Sequence, residues 1–159
     1  MSDLEEAILR YLLAALQSED PLERQEATQR LWDRWFSAEG DEARQILLRI
    51  GQLIERRQLL WAEDKLTQLI RKFPDFAEAY NQRAIARYLM EQWEDAVEDC
   101  QRVIALNPHH FGAFHGLGIC YMATEDYRLA LTAFQQALAI QPFAQINRQL
   151  IAECLNHLE

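Results

Sequence analysis

Residues 116–142 read GLGICYMATEDYRLALTAFQQALAIQP, and their apolar positions recur at helical spacing in two runs separated by a short polar break. Gly118 and Ala130 stand at positions where a well-filled core would place leucine. Two antiparallel helices can cross closely only where the side chains between them are small. The stretch therefore predicts a helical hairpin that crosses at Gly118 and Ala130, with Leu117, Tyr121 and Phe134 filling the space around the crossing.

The hairpin pattern recurs upstream with a period of 34 residues. The clearest columns are Pro74, Pro108 and Pro142; Ala62, Ala96 and Ala130; and Leu66, Cys100 and Phe134. Each proline is expected to end the second helix of its unit, because proline cannot continue a helix and disfavours helix in the residue before it. Self-similarity at such a period is typical of stacked helical repeats.

With these columns the chain resembles a tetratricopeptide repeat (TPR) protein. The matching residues are Leu53, Ala62, Leu66 and Pro74 in the first unit; Tyr80, Ala84, Ala96 and Pro108 in the second; and Leu117, Gly118, Tyr121, Ala130, Phe134, Ala137 and Pro142 in the third. The resemblance implies an all-α solenoid, a right-handed superhelix of helix–turn–helix pairs. It divides the chain into an amino-terminal helical hairpin cap (1–42), a degenerate first repeat (43–76), a second repeat (77–110), a third repeat (111–143) and a carboxy-terminal capping helix (144–159).

The second repeat departs from the family pattern, since Arg83 and Arg87 replace the usual leucine and tyrosine. A buried charge without a partner is costly. Asp99 lies on the facing helix of the same unit, so we predict an Arg83–Asp99 ion pair between the two helices.

The amino-terminal segment predicts two further helices. Ser2 with Glu5 forms a capping-box pattern before the first helix, and Pro21 suits the first turn of the second. An acidic hairpin of this kind ending in LWDRWF is similar to that of small TPR proteins of bacteria and plastids.

The aromatic end of this hairpin has two interpretations. Trp32, Trp35 and Phe36 lie one period before Leu66, Leu69 and Ile70, so the second helix can mimic the back helix of a repeat and seal the first unit. In the other interpretation these residues form an exposed aromatic docking patch.

The net charge of the chain restricts the kinds of partner it is expected to bind, and its cysteine content indicates the cellular compartment. The net charge is −9, and residues 1–42 contain eleven acidic and four basic residues. An acidic chain without a basic stripe is a poor binder of nucleic acid and of anionic membrane, and no apolar run is long enough to span a bilayer. Three widely spaced cysteines and an acidic start without a secretory signal favour a reducing, cytoplasmic location.

No motif in the sequence indicates catalysis, a cofactor or a metal. The glycines Gly112, Gly116 and Gly118 lie within a helix that follows another helix, which is not the strand-to-helix context of a phosphate-binding loop. The histidines His109, His110 and His115 with Cys120 lack the spacing of a zinc site. We expect His109 and His110 to be solvated in the turn between repeats, and the protein not to be an enzyme.

The resemblance implies a concave groove lined by the first helix of each repeat. Carried over position by position, the lining is Arg44, Leu47, Gly51 and Ile54; Asn81, Ile85, Tyr88 and Leu89; and His115, Ile119 and Met122. A mostly apolar surface of this kind suits an amphipathic helix or an extended apolar peptide. The carboxy-terminal helix could instead fold over this groove and fill it, and the sequence leaves that alternative open.

One known TPR binding mode is disfavoured by the residues present. Chaperone-binding TPR domains clamp the carboxylates at a partner's terminus with lysine, asparagine and arginine at set groove positions. The corresponding positions here hold Leu47, Gly51, Gln82, Gly112 and Gly116, none of which is positively charged.

The sequence thus predicts a non-catalytic scaffold, an adaptor or assembly factor, that binds a protein or peptide partner in its groove. The first alternative is a structural subunit that self-associates through the Trp32–Trp35 hairpin or an open repeat end. The second, an enzyme or metal-binding protein, has less support.

Overall fold

The computed structural model describes all 159 residues, which form nine α-helices and no strand. Their bounds are α1 Asp3–Ala15, α2 Pro21–Phe36, α3 Gly40–Glu55, α4 Leu59–Lys72, α5 Ala77–Leu89, α6 Trp93–Leu106, α7 Phe111–Ala123, α8 Tyr127–Ile140 and α9 Gln145–Leu158. Helices α3 to α8 form three consecutive antiparallel pairs that stack on one another, and α9 packs on α8 at the carboxy end. The predicted all-α stack is confirmed.

The 34-residue period extends to the backbone of the turns. Within each pair the chain turns through one residue with a positive φ, at Arg57 (60°), Glu91 (62°) and Glu125 (60°). None of these is glycine, although the left-handed region disfavours other residues. The first pair therefore shares its turn geometry with the other two despite its weaker sequence match.

The helix crossing in the third pair explains its small residues. A Cβ added at Gly118 would lie 2.5 Å from the ring of Phe134, whose side chain is fully buried. Ala130 is also fully buried beside this ring, in a cluster with Cys154 of α9. Glycine at position 118 therefore makes room for an aromatic ring at the crossing.

The second pair carries charges where the third pair has Leu117, Tyr121 and Ala133. Arg83 Nε and Nη2 donate to the two carboxylate oxygens of Asp99 at 2.9 and 2.8 Å, and Arg83 Nη1 donates to the Thr67 hydroxyl of α4 at 3.2 Å. Arg87 Nη1 donates a third hydrogen bond to Asp99 at 3.0 Å. Arg87 Nε lies 3.5 Å from Oε2 of Glu63. The predicted ion pair is confirmed, and it belongs to a larger network that joins three helices.

Sequence signals at the helix ends position the amino-terminal hairpin. The capping box of Ser2 and Glu5 is formed, with the Ser2 amide donating to the Glu5 carboxylate at 2.7 Å. Asp20 caps α2, and Pro21 occupies its first turn. The two helices pack through their own small core, which includes Leu12 and Leu31.

The hairpin lies along the turns that connect the repeats instead of stacking in front of the first one. At its closed end, the Gln17 amide donates to the carbonyl oxygen of Ile140 at 3.0 Å, and Arg24 lies 4.1 Å from the ring centre of Phe143. At its open end, Phe36 packs against the core of the first repeat. This placement differs from the prediction that α2 mimics a back helix, because contacts at several turns cannot be read from the repeat period.

Candidate functional site

An apolar groove lies between α5 and α7, and α6 closes it from behind. Its cavity has a volume of about 180 Å³. The lining residues are Trp32, Asn81, Ala84, Ile85, Tyr88, Cys100, Gly112, His115, Gly116, Ile119 and Cys120. The repeat places equivalent positions of α5 and α7 side by side, so that Ile85 faces the groove with Ile119, which follows it by 34 residues.

Two polar residues that line this groove, Asn81 and His115, have hydrogen-bond partners within the protein. The Asn81 amide donates to Glu78 Oε1 at 3.0 Å, and the Gln82 amide donates to the same oxygen at 3.0 Å. His115 Nδ1 lies 2.9 Å from the amide oxygen of Asn147 in α9. Since these groups are satisfied internally, the free surface of the groove is chiefly apolar.

A buried His110–Glu78 pair fixes the ends of α5 and α7 beside the groove. His110 Nε2 lies 2.8 Å from Glu78 Oε2, and both side chains are fully buried. The Ala113 amide donates to His110 Nδ1 at 3.0 Å, so the ring proton is on Nε2 and is donated to the carboxylate. The expectation that His110 is solvated is wrong, because the ring caps α7 in the core; His109 is exposed.

The aromatic residues of α2 pack on this pair. The ring of Trp35 stacks on His110 with 4.3 Å between centroids and contacts Phe111 at 4.9 Å. Trp32 meets Trp35 and Phe111 edge-on and remains half-buried at the end of the groove. Trp35 is therefore core, as the first interpretation held, whereas Trp32 is both packed and accessible from the groove.

Apart from Gly51, which has no side chain, ten residues were predicted to line the partner-binding groove, and the structure brings five of them together. Asn81, Ile85, Tyr88, His115 and Ile119 line one cavity. All five come from the second and third repeats, in which α5 and α7 are direct neighbours. These five residues, predicted from their positions in the repeat, therefore form one continuous surface.

The other five residues do not line this cavity. Leu47 and Ile54 belong to the core that joins the first and second repeats, and Leu47 is 0% exposed. Arg44 hydrogen-bonds the Ser37 hydroxyl at 3.0 Å at the base of the hairpin. Leu89 packs against the core of the first repeat, and Met122 packs toward Phe134 and α9.

Six lining residues were absent from the predicted site, namely Trp32, Ala84, Cys100, Gly112, Gly116 and Cys120. Ala84 and the two cysteines form the floor and follow from the stacking of α6 behind α5 and α7. Trp32 comes from outside the repeats, so the 34-residue period could not predict which residues it contacts. Gly112 was the available signal, because a glycine at this position of α7 leaves room for a large side chain from outside the repeats.

Two buried thiols, those of Cys100 and Cys120, lie at this groove. No cluster of three or more histidine, cysteine, aspartate or glutamate side chains is arranged to hold a metal ion. A hydrogen bond with Cys120 and burial raise the pKa of the Cys100 thiol well above its ordinary value, which keeps the thiol protonated at neutral pH. None of the helices combines the length and apolarity needed to cross a membrane.

Stacked antiparallel helix pairs with an apolar groove between their first helices define an α-solenoid repeat protein. Tetratricopeptide repeat family models match residues 77–110 and 111–144. These matches show that the second and third pairs are tetratricopeptide repeats, and the first pair shares their turn.

Similar proteins agree with this assignment. A TPR repeat-containing protein of Rhizobium etli is 31% identical over 105 residues, which cover 64% of this chain and 52% of that protein. The first TPR domain of Spaghetti (RPAP3), solved with an HSP90 peptide, superposes with a TM-score of 0.69 at 18% identity, covering 71% of this chain and 90% of that one. MamA superposes with a TM-score of 0.69 at 20% identity, covering 84% and 78%. The chain spans about half or less of the length of the curated relatives it matches.

Proposed function

We propose that this protein is a non-catalytic interaction module that holds a helical or extended segment of a partner protein in the groove between α5 and α7. The observation that carries the proposal is the apolar cavity that Ile85, Tyr88 and Ile119 line in a chain with tetratricopeptide repeats. A partner inserting one large apolar side chain would remove this surface from water, which is favourable at about 25 cal/mol per Å².

The size of the cavity favours a side chain over a small molecule. Its volume of about 180 Å³ is below the roughly 300 Å³ at which pockets for drug-sized ligands and cofactors begin. A preformed cavity also lowers the ordering cost of a flexible partner, because only the partner has to be fixed on binding. The role that fits is that of an adaptor or assembly factor in a reducing compartment such as the cytoplasm, where the three buried free cysteines stay reduced.

We further propose that the groove does not clamp a carboxylate-terminated peptide. The clamp positions Leu47, Gly51, Gln82, Gly112 and Gly116 carry no positive charge. Leu47 is buried in the core, and the indole of Trp32 covers Gly112.

Peptide display on the purified protein tests the proposed function. A library of helical and extended peptides is selected on the wild type, and the recovered peptides are measured against Ile85→Glu and Leu129→Glu. The two substitutions are matched, since Ile85 is 40% exposed in the groove and Leu129 is 46% exposed on α8. Circular dichroism confirms that both variants are folded.

We expect the recovered peptides to share a large apolar residue, to lose binding to Ile85→Glu and to retain it on Leu129→Glu. Peptides that bind Ile85→Glu as well as wild type place the site elsewhere. A selection that recovers no peptide above background contradicts the proposed function.

Self-association is the second candidate, and exposed apolar residues on α9 favour it. Ile146, Leu155 and Leu158 are all exposed on this last helix. Sedimentation over a wide concentration range separates the two functions, because a strict monomer excludes a self-assembling subunit and leaves the groove as the binding surface.

A further inference from the structure

Trp32 belongs both to the hairpin and to the groove. A Cβ added at Gly112 would lie 2.7 Å from Cη2 of Trp32, so the indole rests directly on the backbone of α7. The same side chain is half-buried and lines the cavity beside Ile85 and Ile119. One end of the groove is therefore closed by an aromatic ring that lies outside the repeats.

The hairpin that carries Trp32 is a fixed wall rather than a lid. Moving α2 away would expose Trp35 and Phe111, which are almost fully buried, and would uncover the His110–Glu78 pair. It would also break the hydrogen bonds from Gln17 to the end of α8. Because these contacts hold α2 along its length, Trp32 has the same position before and after a partner binds.

The charge of this wall indicates the chemistry of the partner. Residues 1–42 contain eleven of the 25 acidic residues of the chain and only four of its 16 basic residues. The segment that carries Trp32 therefore has a net charge of −7 (four basic and eleven acidic residues), and the field of this charge attracts positive charge during the encounter. A segment with lysine or arginine next to its apolar anchor fits both features.

We propose that Trp32 contacts the partner directly, forming the aromatic wall against which the anchoring apolar side chain of a basic amphipathic segment packs. This inference rests on the proposed function and specifies the partner class of the same groove. Trp32 also makes the groove differ from one built of repeats alone, because the closed end over Gly112 stops the partner from extending past it.

Fluorine NMR with 5-fluorotryptophan tests the contact at the residue itself. The chain has four tryptophans, Trp32, Trp35, Trp61 and Trp93, and their resonances are assigned from single tryptophan-to-phenylalanine variants. The probes are the peptides recovered by display on the wild type. We expect these peptides to shift the Trp32 resonance and to leave that of Trp61 unchanged, since Trp61 is 66% exposed on α4 and lies outside the groove.

Affinities of the same peptides separate this inference from the proposed function. We expect Trp32→Ala to weaken binding about tenfold or more, as truncation of an aromatic hot spot does. Trp32→Phe should retain most of the affinity, and Trp61→Ala all of it. The recovered peptides should carry a net positive charge and lose affinity as salt is raised.

Loss of binding to Ile85→Glu with no effect of Trp32→Ala and no shift of the Trp32 resonance would overturn this inference and leave the proposed function standing. Recovered peptides that are acidic or insensitive to salt would overturn the choice of a basic partner. Should Ile85→Glu also leave binding intact, both proposals fail together.

Discussion

Asp99 is the residue whose removal should destabilise the stack most clearly. Its carboxylate is 3% exposed and accepts three hydrogen bonds from Arg83 and Arg87. The substitution Asp99→Ala leaves both guanidinium groups inside the second repeat without this anion. Breaking a buried pair in this way costs about 3–5 kcal/mol, a large part of the roughly 5–15 kcal/mol by which a domain is stable.

The third repeat supplies the matched replacement for this network. One period on from Arg83, Arg87 and Asp99 stand Leu117, Tyr121 and Ala133, which pack without any charge. Replacing a complete buried ion pair by well-packed apolar residues is often neutral or stabilising by about 1–4 kcal/mol. The triple variant Arg83→Leu, Arg87→Tyr, Asp99→Ala removes these charges but leaves Glu63 without Arg87, so we expect it to regain most of the stability that Asp99→Ala loses.

Chemical unfolding, followed by far-ultraviolet circular dichroism and by tryptophan fluorescence, measures both variants. Glu98→Ala is the control, because Glu98 is an exposed neighbour on α6 and forms no ion pair; its effect should stay within about 0.5 kcal/mol. An Asp99→Ala variant that loses less than about 1 kcal/mol would show that the network is effectively solvated. A triple variant as unstable as the single one would refute the explanation by unpaired charge.

Three other outcomes follow from the packing and the caps. Gly118→Ala should lower the free energy of unfolding by about 1–3 kcal/mol, because the new methyl group meets the buried ring of Phe134; a melt equal to wild type would contradict this close crossing. Hydrogen bonds from the Ser2 amide and hydroxyl lower the pKa of Glu5, so the cap stabilises α1 above the ordinary glutamate pKa and is lost as pH falls through the lowered value. The variant Ser2→Ala removes the hydroxyl and keeps the amide, so NMR titration should show the Glu5 pKa rising part of the way toward its ordinary value; an unchanged pKa would exclude a contribution of the Ser2 hydroxyl. All three buried thiols should resist a thiol reagent until the protein unfolds, and rapid labelling in native buffer would contradict their burial.

Contacts inside the repeat frame could be predicted from the sequence. Arg83 and Asp99 occupy facing positions of one unit, so their pairing followed from the period and the cost of a buried charge. Ile85 and Ile119 occupy equivalent positions of neighbouring units, so their common surface followed from the same period. The first contact lies within a single repeat, and the second joins equivalent positions of neighbouring repeats, so the 34-residue period was enough to predict both.

Contacts that leave the repeat frame could not be predicted. Trp32 and Gly112 are 80 residues apart, and one of them lies in a segment without a repeat counterpart. The buried state of His110 depends on Trp35 above it and Glu78 beside it, so the residue type alone suggested solvent exposure. Leu47 shows the opposite failure, because its family position indicated a groove while its neighbours in the first repeat bury it.

Hydrogen–deuterium exchange with a display-selected peptide tests the central claim most directly, since it reports the binding surface over the whole chain. We expect new protection in α5 over residues 81–89, in α7 over residues 115–122 and in α2 around Trp32, with α4 and α8 unchanged. Protection confined to α8 and α9, or to the outer face of the hairpin, would contradict a groove that binds its partner between α5 and α7.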